Sequence, residues 1–453
     1  MGSRNGSPRR ATVAPKVVFF SGVLVPLLVA GTLAAQEEGS EAPPSLEFAF
    51  SNPGARSMGL GGAFVALADD ATAAFANPAG LVQLLRPEIS VELRRRDFST
   101  PYTAGGRALG APTGYGIDIF DSIRTEHSNE TTSGVSYLSF VYPSPRWSIA
   151  VYRHQLAEFV VRTELDGLFG DVPEGGVRRH PDQRSTTDLD VVDTGLTGAF
   201  KVSDRLSVGL GLSYFSGRIE YRGAIYGVDV YPDTFFEPNS FLPERIFANS
   251  SFDVDSTDVG FSAGVLWKIT ERWRMGAVFR DGPRFEYELF NRAGPASDLP
   301  EGTILGEVTD RSIVLPDVWG LGFAYRSPDG SVTVGCEWDR VEYSVIPKSL
   351  ESPLAEVEDV TVDDANELHL GVEYVFLESS PVFALRAGLW HDPAHRFSYT
   401  GADPFARALF QPGEDFLHFS FGAGIAFRRF QIDVGADLSD EVDQYAVSAI
   451  FSF

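Results

Sequence analysis

Seven histidines, one cysteine and 62 carboxylates are the groups through which this chain could do chemistry. Their spacing assembles no reactive centre. His391 and His395 stand four apart, the spacing of a helical ligand pair, but Pro393 lies between them and breaks the helix they would need. The single cysteine, Cys336, leaves neither an internal disulfide nor a paired-thiolate metal site. Acidic stretches at 188–193 and 356–367 have the charge for calcium, yet neither carries the alternating Asp ladder closed by glycine, so they read as solvated loops. Serine and histidine occur without a spacing that sets a nucleophile beside a base. Catalysis, a cofactor and a bound metal are therefore not expected. One set of charges does follow a pattern. Arg274, Arg280, Arg326 and Arg386 fall on the same side of alternating segments as Glu337, Asp339, Asp433 and Asp437. Such a ladder lines and stiffens a wet interior. The sharper expectation is that Arg386 meets the carboxylate of a substrate.

The elements that position these charges are strands. Leu206, Val208, Leu210, Leu212 and Tyr214 alternate with Ser207, Gly209, Gly211 and Ser213. Phe430, Ile432, Val434, Ala436 and Leu438 alternate with Gln431, Asp433, Gly435 and Asp437, and Leu368 to Phe376 repeat the pattern. Strict period two is strand, not helix. A charge such as Asp433 between two aliphatics must face water, either the lumen of a barrel or the outside of a sandwich. Connection lengths decide between the two. The chain holds about 14 strand segments, centred near residues 92, 137, 152, 194, 212, 261, 278, 319, 335, 371, 386, 420, 433 and 447. Short turns such as 143–146, 203–204 and 428–429 alternate with long polar connections at 98–131, 162–185, 223–251, 291–310, 345–364 and 392–413. Short turns on one side and long loops on the other is the asymmetry of an outer-membrane barrel.

Composition agrees. Mean hydropathy is −0.05, far too polar for helical spans, while 45 glycines and 35 phenylalanines suit strands with a crowded lumen and aromatic girdles. Trp147, Trp267, Trp273, Trp319, Trp338 and Trp390 fall near strand ends, where girdle residues belong. A net charge of −25 excludes nucleic acid as a partner. Tyr445, Val447, Ala449, Phe451 and Phe453 alternate to the last residue. Tyr445, Phe451 and Phe453 are expected to be read by the barrel assembly machinery. The fold class is thus an antiparallel transmembrane β-barrel, residues 87–453.

Two segments precede it. Arg4, Arg9, Arg10 and Lys16, an apolar run over 17–33, and the small Ala34 and Ala35 have the layout of a secretory signal peptide, residues 1–35, cut after Ala34 or Ala35. Residues 36–86 follow. From 45 onward they are rich in alanine and glycine and lack alternation. They are too apolar to hang in the periplasm and are expected to pack inside the barrel as a partly helical plug, with a short helix over 66–76 ended by Asn77-Pro78. Phe64 and Phe75 either line an apolar pocket or fasten the plug to the wall.

The plug also carries a resemblance. Arg56-Ser57-Met58-Gly59-Leu60-Gly61-Gly62-Ala63-Phe64, then Ala68-Asp69-Asp70-Ala71, then Asn77-Pro78-Ala79-Gly80 is similar to the hatch of the FadL/TodX family of outer-membrane transporters. The resemblance implies a barrel with a lumenal hatch. It also implies passive uptake of long-chain fatty acids or aromatic hydrocarbons, with Phe64, Phe75, Asn77, Pro78, Ala79 and Gly80 at the hatch. Lipid and lipopolysaccharide of a Gram-negative outer membrane would surround it. Members open their wall sideways by a kink in the third strand. Here that strand, 147–161, has no glycine or proline, so the kink is expected from a bulge around His154 or Gln155. A second reading is a PorV-like barrel, which shares similar hatch words and serves as a protein-binding platform in secretion.

Overall fold

The computed structural model describes residues 50–453, apart from 174, 228–234, 306–308 and 350–358. The expected signal peptide and residues 36–49 of the expected plug lie outside the described residues. The wall strands run β1 (Glu88–Leu109), β2 (Ile123–Pro143), β3 (Trp147–Leu165), β4 (Asp182–Lys201), β5 (Leu206–Tyr226) and β6 (Ile246–Lys268). Next come β7 (Trp273–Arg280, continued by Arg284–Ala293) and β8 (Thr309–Val314, continued by Val318–Arg326). The circuit continues with β9 (Val332–Val341), β10 (Ala365–Phe376), β11 (Val382–Asp392), β12 (Phe416–Ala426), β13 (Phe430–Leu438) and β14 (Val442–Ser452). Each pairs antiparallel with its neighbour, and β14 returns to β1 through Ser452↔Glu88. Among the described residues the wall is therefore a closed barrel of 14 strands, which leaves no free sheet edge in the membrane.

Alternation does what it promised. Val208, Leu210, Leu212 and Tyr214 are exposed on the outside of β5, while Ser207 and Ser213 are buried within. Trp147, Trp267 and Trp273 lie beside the short turns, and Trp319 and Trp338 toward the opposite rim, all of them exposed. Trp390 corrects the girdle. It is buried in the lumen, stacked 3.8 Å from His418 and 5.2 Å from His369. Its neighbour Leu389 takes the outward position, so the period places Trp390 inside despite its place near a strand end. The long connections are also corrected. β1 continues to Leu109 and β2 begins at Ile123, so most of 98–131 is strand. Beyond the lipid neither face need be apolar, so hydropathy loses its period while backbone pairing continues. No helix among the described residues is long and apolar enough to cross a membrane.

Residues 50–86 thread the lumen. They fold as α1 (Ala55–Gly59), α2 (Ala73–Ala76) and a 3₁₀ turn (Pro78–Gln83). The expected helix over 66–76 is confined to its last four residues. Ala68 takes a positive φ of 34°, and Asp70 Oδ1 accepts from the amide and hydroxyl of Thr72, so the side chain supplies a turn in place of a helix start.

Candidate functional site

The hatch is fastened by wall carboxylates. Glu337 on β9, itself buried, accepts hydrogen bonds from the amides of Phe64 at 2.7 Å and Val65 at 2.6 Å, with Asn52 Nδ2 at 3.3 Å. Glu92 on β1 accepts from the Gly54 amide, from Arg94 at 2.7 Å and from Ser136 at 2.6 Å. A relay of charges joins the two bodies. Asp433 pairs with Arg386 at 2.7 Å, Arg386 with Glu373 at 2.7 Å, Glu373 with Arg56 at 3.0 Å, and Arg56 with Asp69 at 2.6 Å. The arginine–acid ladder of the wall therefore continues into the hatch. Burial alone would raise the Asp69 carboxyl, but Arg56 and Arg274 hold it below the ordinary aspartate range. Asp70, buried beside it with a longer 3.3 Å contact to Arg56, is raised. Arg386 lies between two acids and is almost fully buried, its Nε donating to Glu373 and its Nη1 to Asp433.

The Asn77-Pro78-Ala79-Gly80 element is the second fastening. Asn77 is wholly buried; its Nδ2 donates to Val65 O at 2.9 Å and to the wall at Val265 O at 3.2 Å. Its Oδ1 accepts from Ala79 N at 3.1 Å and caps the 3₁₀ turn. Ser207 on β5 donates to Ala79 O at 2.9 Å. Pro78 packs on Gly209, where a Cβ would stand 2.4 Å from the Pro78 carbonyl carbon, and Gly80 lies so close to Ala68 O that its own Cβ would stand 2.1 Å away. Glycine is required at both by close approach.

The two phenylalanines part company. Phe64 is fully buried under the Arg56 guanidinium, 5.5 Å from its ring, and fastens the hatch. Phe75 meets Tyr152 edge-on at 6.0 Å and His154 at 4.4 Å, and with Phe50, Tyr152, Leu156, Phe215 and Val318 it lines a cleft between hatch and wall. Asp193, held by the Tyr152 hydroxyl at 2.8 Å, and Arg280 give the cleft a polar edge. Tyr152, Leu156 and Phe215 were not singled out from sequence. Their only signal was an apolar residue on the lumen face of a strand.

Leu156 also marks an irregularity in the wall. β3 pairs with β2 only from Pro143↔Ser148 to Tyr137↔His154. With β4 it pairs from end to end, but the register steps from Gln155↔Val192 to Ala157↔Val191, so Leu156 is an extra residue. β2 has its own extra residue, Ser136, against Glu92 and Leu93. Beyond these bulges β2 and β3 part. Side chains span the seam instead, Ser128 Oγ accepting from Arg162 N at 2.9 Å. The expected bulge is present, one residue beyond Gln155. Tyr445, Phe451 and Phe453 face outward on or just beyond β14, and Phe453 stacks 6.3 Å from Phe140.

Comparison with known proteins places this geometry. Residues 180–440 match the family model described as outer membrane protein transport protein (OMPP1/FadL/TodX). The chain belongs to this family. The long-chain fatty acid transport protein of Shigella flexneri is 23% identical over 419 residues, covering 84% of each chain. Outer membrane protein P1 of Haemophilus influenzae is 24% identical over 269 residues, and that match spans about half of each chain, 55%. Among solved structures, a FadL homologue of Pseudomonas aeruginosa superposes with a TM-score of 0.57 at 16% identity, covering 92% of this chain and 100% of that one. The P. putida toluene transporter TodX gives 0.53 at 13%, covering 89% and 99%. This FadL/TodX member is accordingly an outer-membrane transport barrel, and the match favours a channel over a secretion platform.

Proposed function

We propose that this FadL/TodX member admits hydrophobic compounds, such as long-chain fatty acids or aromatic hydrocarbons, by passive diffusion from the outer loops to the hatch and then sideways into the membrane. One observation carries the reading: the apolar cleft beside Phe75 reaches Leu156, the residue at which β3 leaves β2. The substrate classes are those named for the Shigella and P. putida relatives. A lateral exit is favourable because an acyl chain released into water loses about 0.8 kcal/mol per methylene, whereas one passed from cleft to bilayer does not. The hatch blocks the straight path for polar solutes. No bond is made or broken in this cycle, so the reading assigns the chain no enzymatic step. Assembly-machinery recognition of Tyr445, Phe451 and Phe453, and contact with lipid and lipopolysaccharide, belong to the same proposal.

The cleft is tested by binding. Phe215→Ser removes an apolar ring worth about 1.5–3 kcal/mol when buried and is expected to weaken binding of a fluorescent fatty-acid analogue to the purified barrel roughly 10- to 100-fold. Unchanged affinity in a folded variant places the ligand elsewhere.

A further inference from the structure

β9 and β10 bring Asp339, Glu367 and His369 together inside the lumen, beside the hatch. Each offers one ligand atom, and these atoms lie within 4.8 Å of one another. His369 Nε2 is 3.4 Å from Glu367 Oε2 and 3.8 Å from Asp339 Oδ2, and the His369 and Asp339 side chains are 8% and 9% exposed. The tautomer follows from the hatch. His369 Nδ1 is 2.7 Å from the carbonyl oxygen of Gly61, which only accepts, so Nδ1 carries a proton. Neither Nε2 nor Asp339 Oδ1 has a hydrogen bond of good geometry, although Nε2 lies within ion-pair reach of both acids. A buried imidazole nitrogen thus faces two carboxylates, an arrangement that calls for a cation between them, either a proton on Nε2 or a metal.

Three features select the metal. A tetrahedral site with bonds of about 2.0–2.1 Å spaces its ligand atoms roughly 3.4 Å apart, close to the 3.4 and 3.8 Å from His369 Nε2 to the two acids. Donation of the other ring N–H to a backbone carbonyl is how metal-binding histidines are usually oriented, and stacking on Trp390 fixes the ring plane at 17°. The surrounding cavity is lined by Asp339, Glu367, Asp392 and Asp437 against Arg94 as its one guanidinium, so its field attracts cations. One imidazole with two carboxylates suits zinc or a similar transition metal better than calcium.

We propose that Asp339, Glu367 and His369 form a divalent transition-metal site of the zinc type, with a further position open to the lumen. Because the same imidazole holds Gly61, the site couples metal occupancy to the seating of the hatch. The proposal does not rest on the transport reading.

The test uses the full-length barrel, purified in detergent, stripped with chelator and titrated with Zn²⁺ by calorimetry and with Co²⁺ by visible absorption. One metal per chain with ligand-field bands is expected. His369→Gln should weaken binding on the order of 100-fold. Glu367→Gln should also weaken it, which covers the case in which His369→Gln fails to fold. His391→Gln, an exposed histidine paired with Asp415, should leave it unchanged. Substoichiometric binding, equal affinity in folded Glu367→Gln and wild type, or an Nε2-protonated His369 ring by NMR in the presence of saturating Zn²⁺ would each overturn the site in favour of a protonated ion pair.

Discussion

Glu337→Ala is expected to unseat the hatch and to destabilise the folded protein by about 2–6 kcal/mol, because two buried amides each lose their acceptor at roughly 1–3 kcal/mol apiece. Those amides belong to Phe64 and Val65, at the middle of the hatch. A closed barrel of 14 strands should survive the loss. The damage is therefore predicted to be local: protease cleavage within 50–86, and ion conductance through planar bilayers well above that of the wild type. Glu337→Gln keeps an accepting oxygen without the charge and should fall between the two. Wild-type conductance and protease resistance in Glu337→Ala would mean that the Arg56 relay and Asn77 hold the hatch without it.

Deletion of Leu156 is expected to straighten β3 and to disturb the seam at which it leaves β2. The residue is the extra one in the pairing of β3 with β4. Removing it brings Gln155↔Val192 and Ala157↔Val191 into one continuous register. It also preserves the inward set, since His154 and Ala157 then alternate as ordinary neighbours two apart. The deletion variant should fold, migrate as a heat-modifiable barrel, and bind a fatty-acid analogue with an affinity lowered only by the loss of the Leu156 side chain from the cleft. Uptake by cells carrying it should fall by an order of magnitude or more if the seam between β2 and β3 is the exit, since the alternative route past the hatch crosses water at about 0.8 kcal/mol per methylene. Undiminished uptake with a folded barrel assigns the exit to another part of the wall or to the periplasmic mouth.

The wall was legible because a lipid-facing strand has no choice but to alternate. Leu210 and Asp433 are readable as outside and inside from their neighbours alone. The same rule was blind above the membrane. β1 continues past Phe98 to Leu109 where neither face need be apolar, so strand was taken for loop. Trp390 was misplaced because position near a strand end was weighed above parity. The hatch was legible as something needing burial, and its short helix was overextended because Asp70 capping Thr72 is a side-chain event that alanine content does not reveal. The metal-ligand candidates were missed for a geometric reason. Glu367 and His369 share a face two residues apart, but Asp339 comes from β9, and only the register Asp339↔Glu367 brings it alongside. Arg386 was correctly placed on the lumen face. Its wall partner Glu373 falls on the same alternating face, but the contact of Glu373 with Arg56 was not legible, since a contact between hatch and wall has no signature in linear spacing.

The most direct measurement is the initial rate at which intact cells lacking other hydrophobic-compound channels take up a labelled long-chain fatty acid and labelled toluene, with and without this chain in the outer membrane. The chain is predicted to raise the rate for at least one of the two severalfold while leaving the entry of a small sugar unchanged. Equal rates in both strains, with the barrel shown to be folded and in place, would contradict the account.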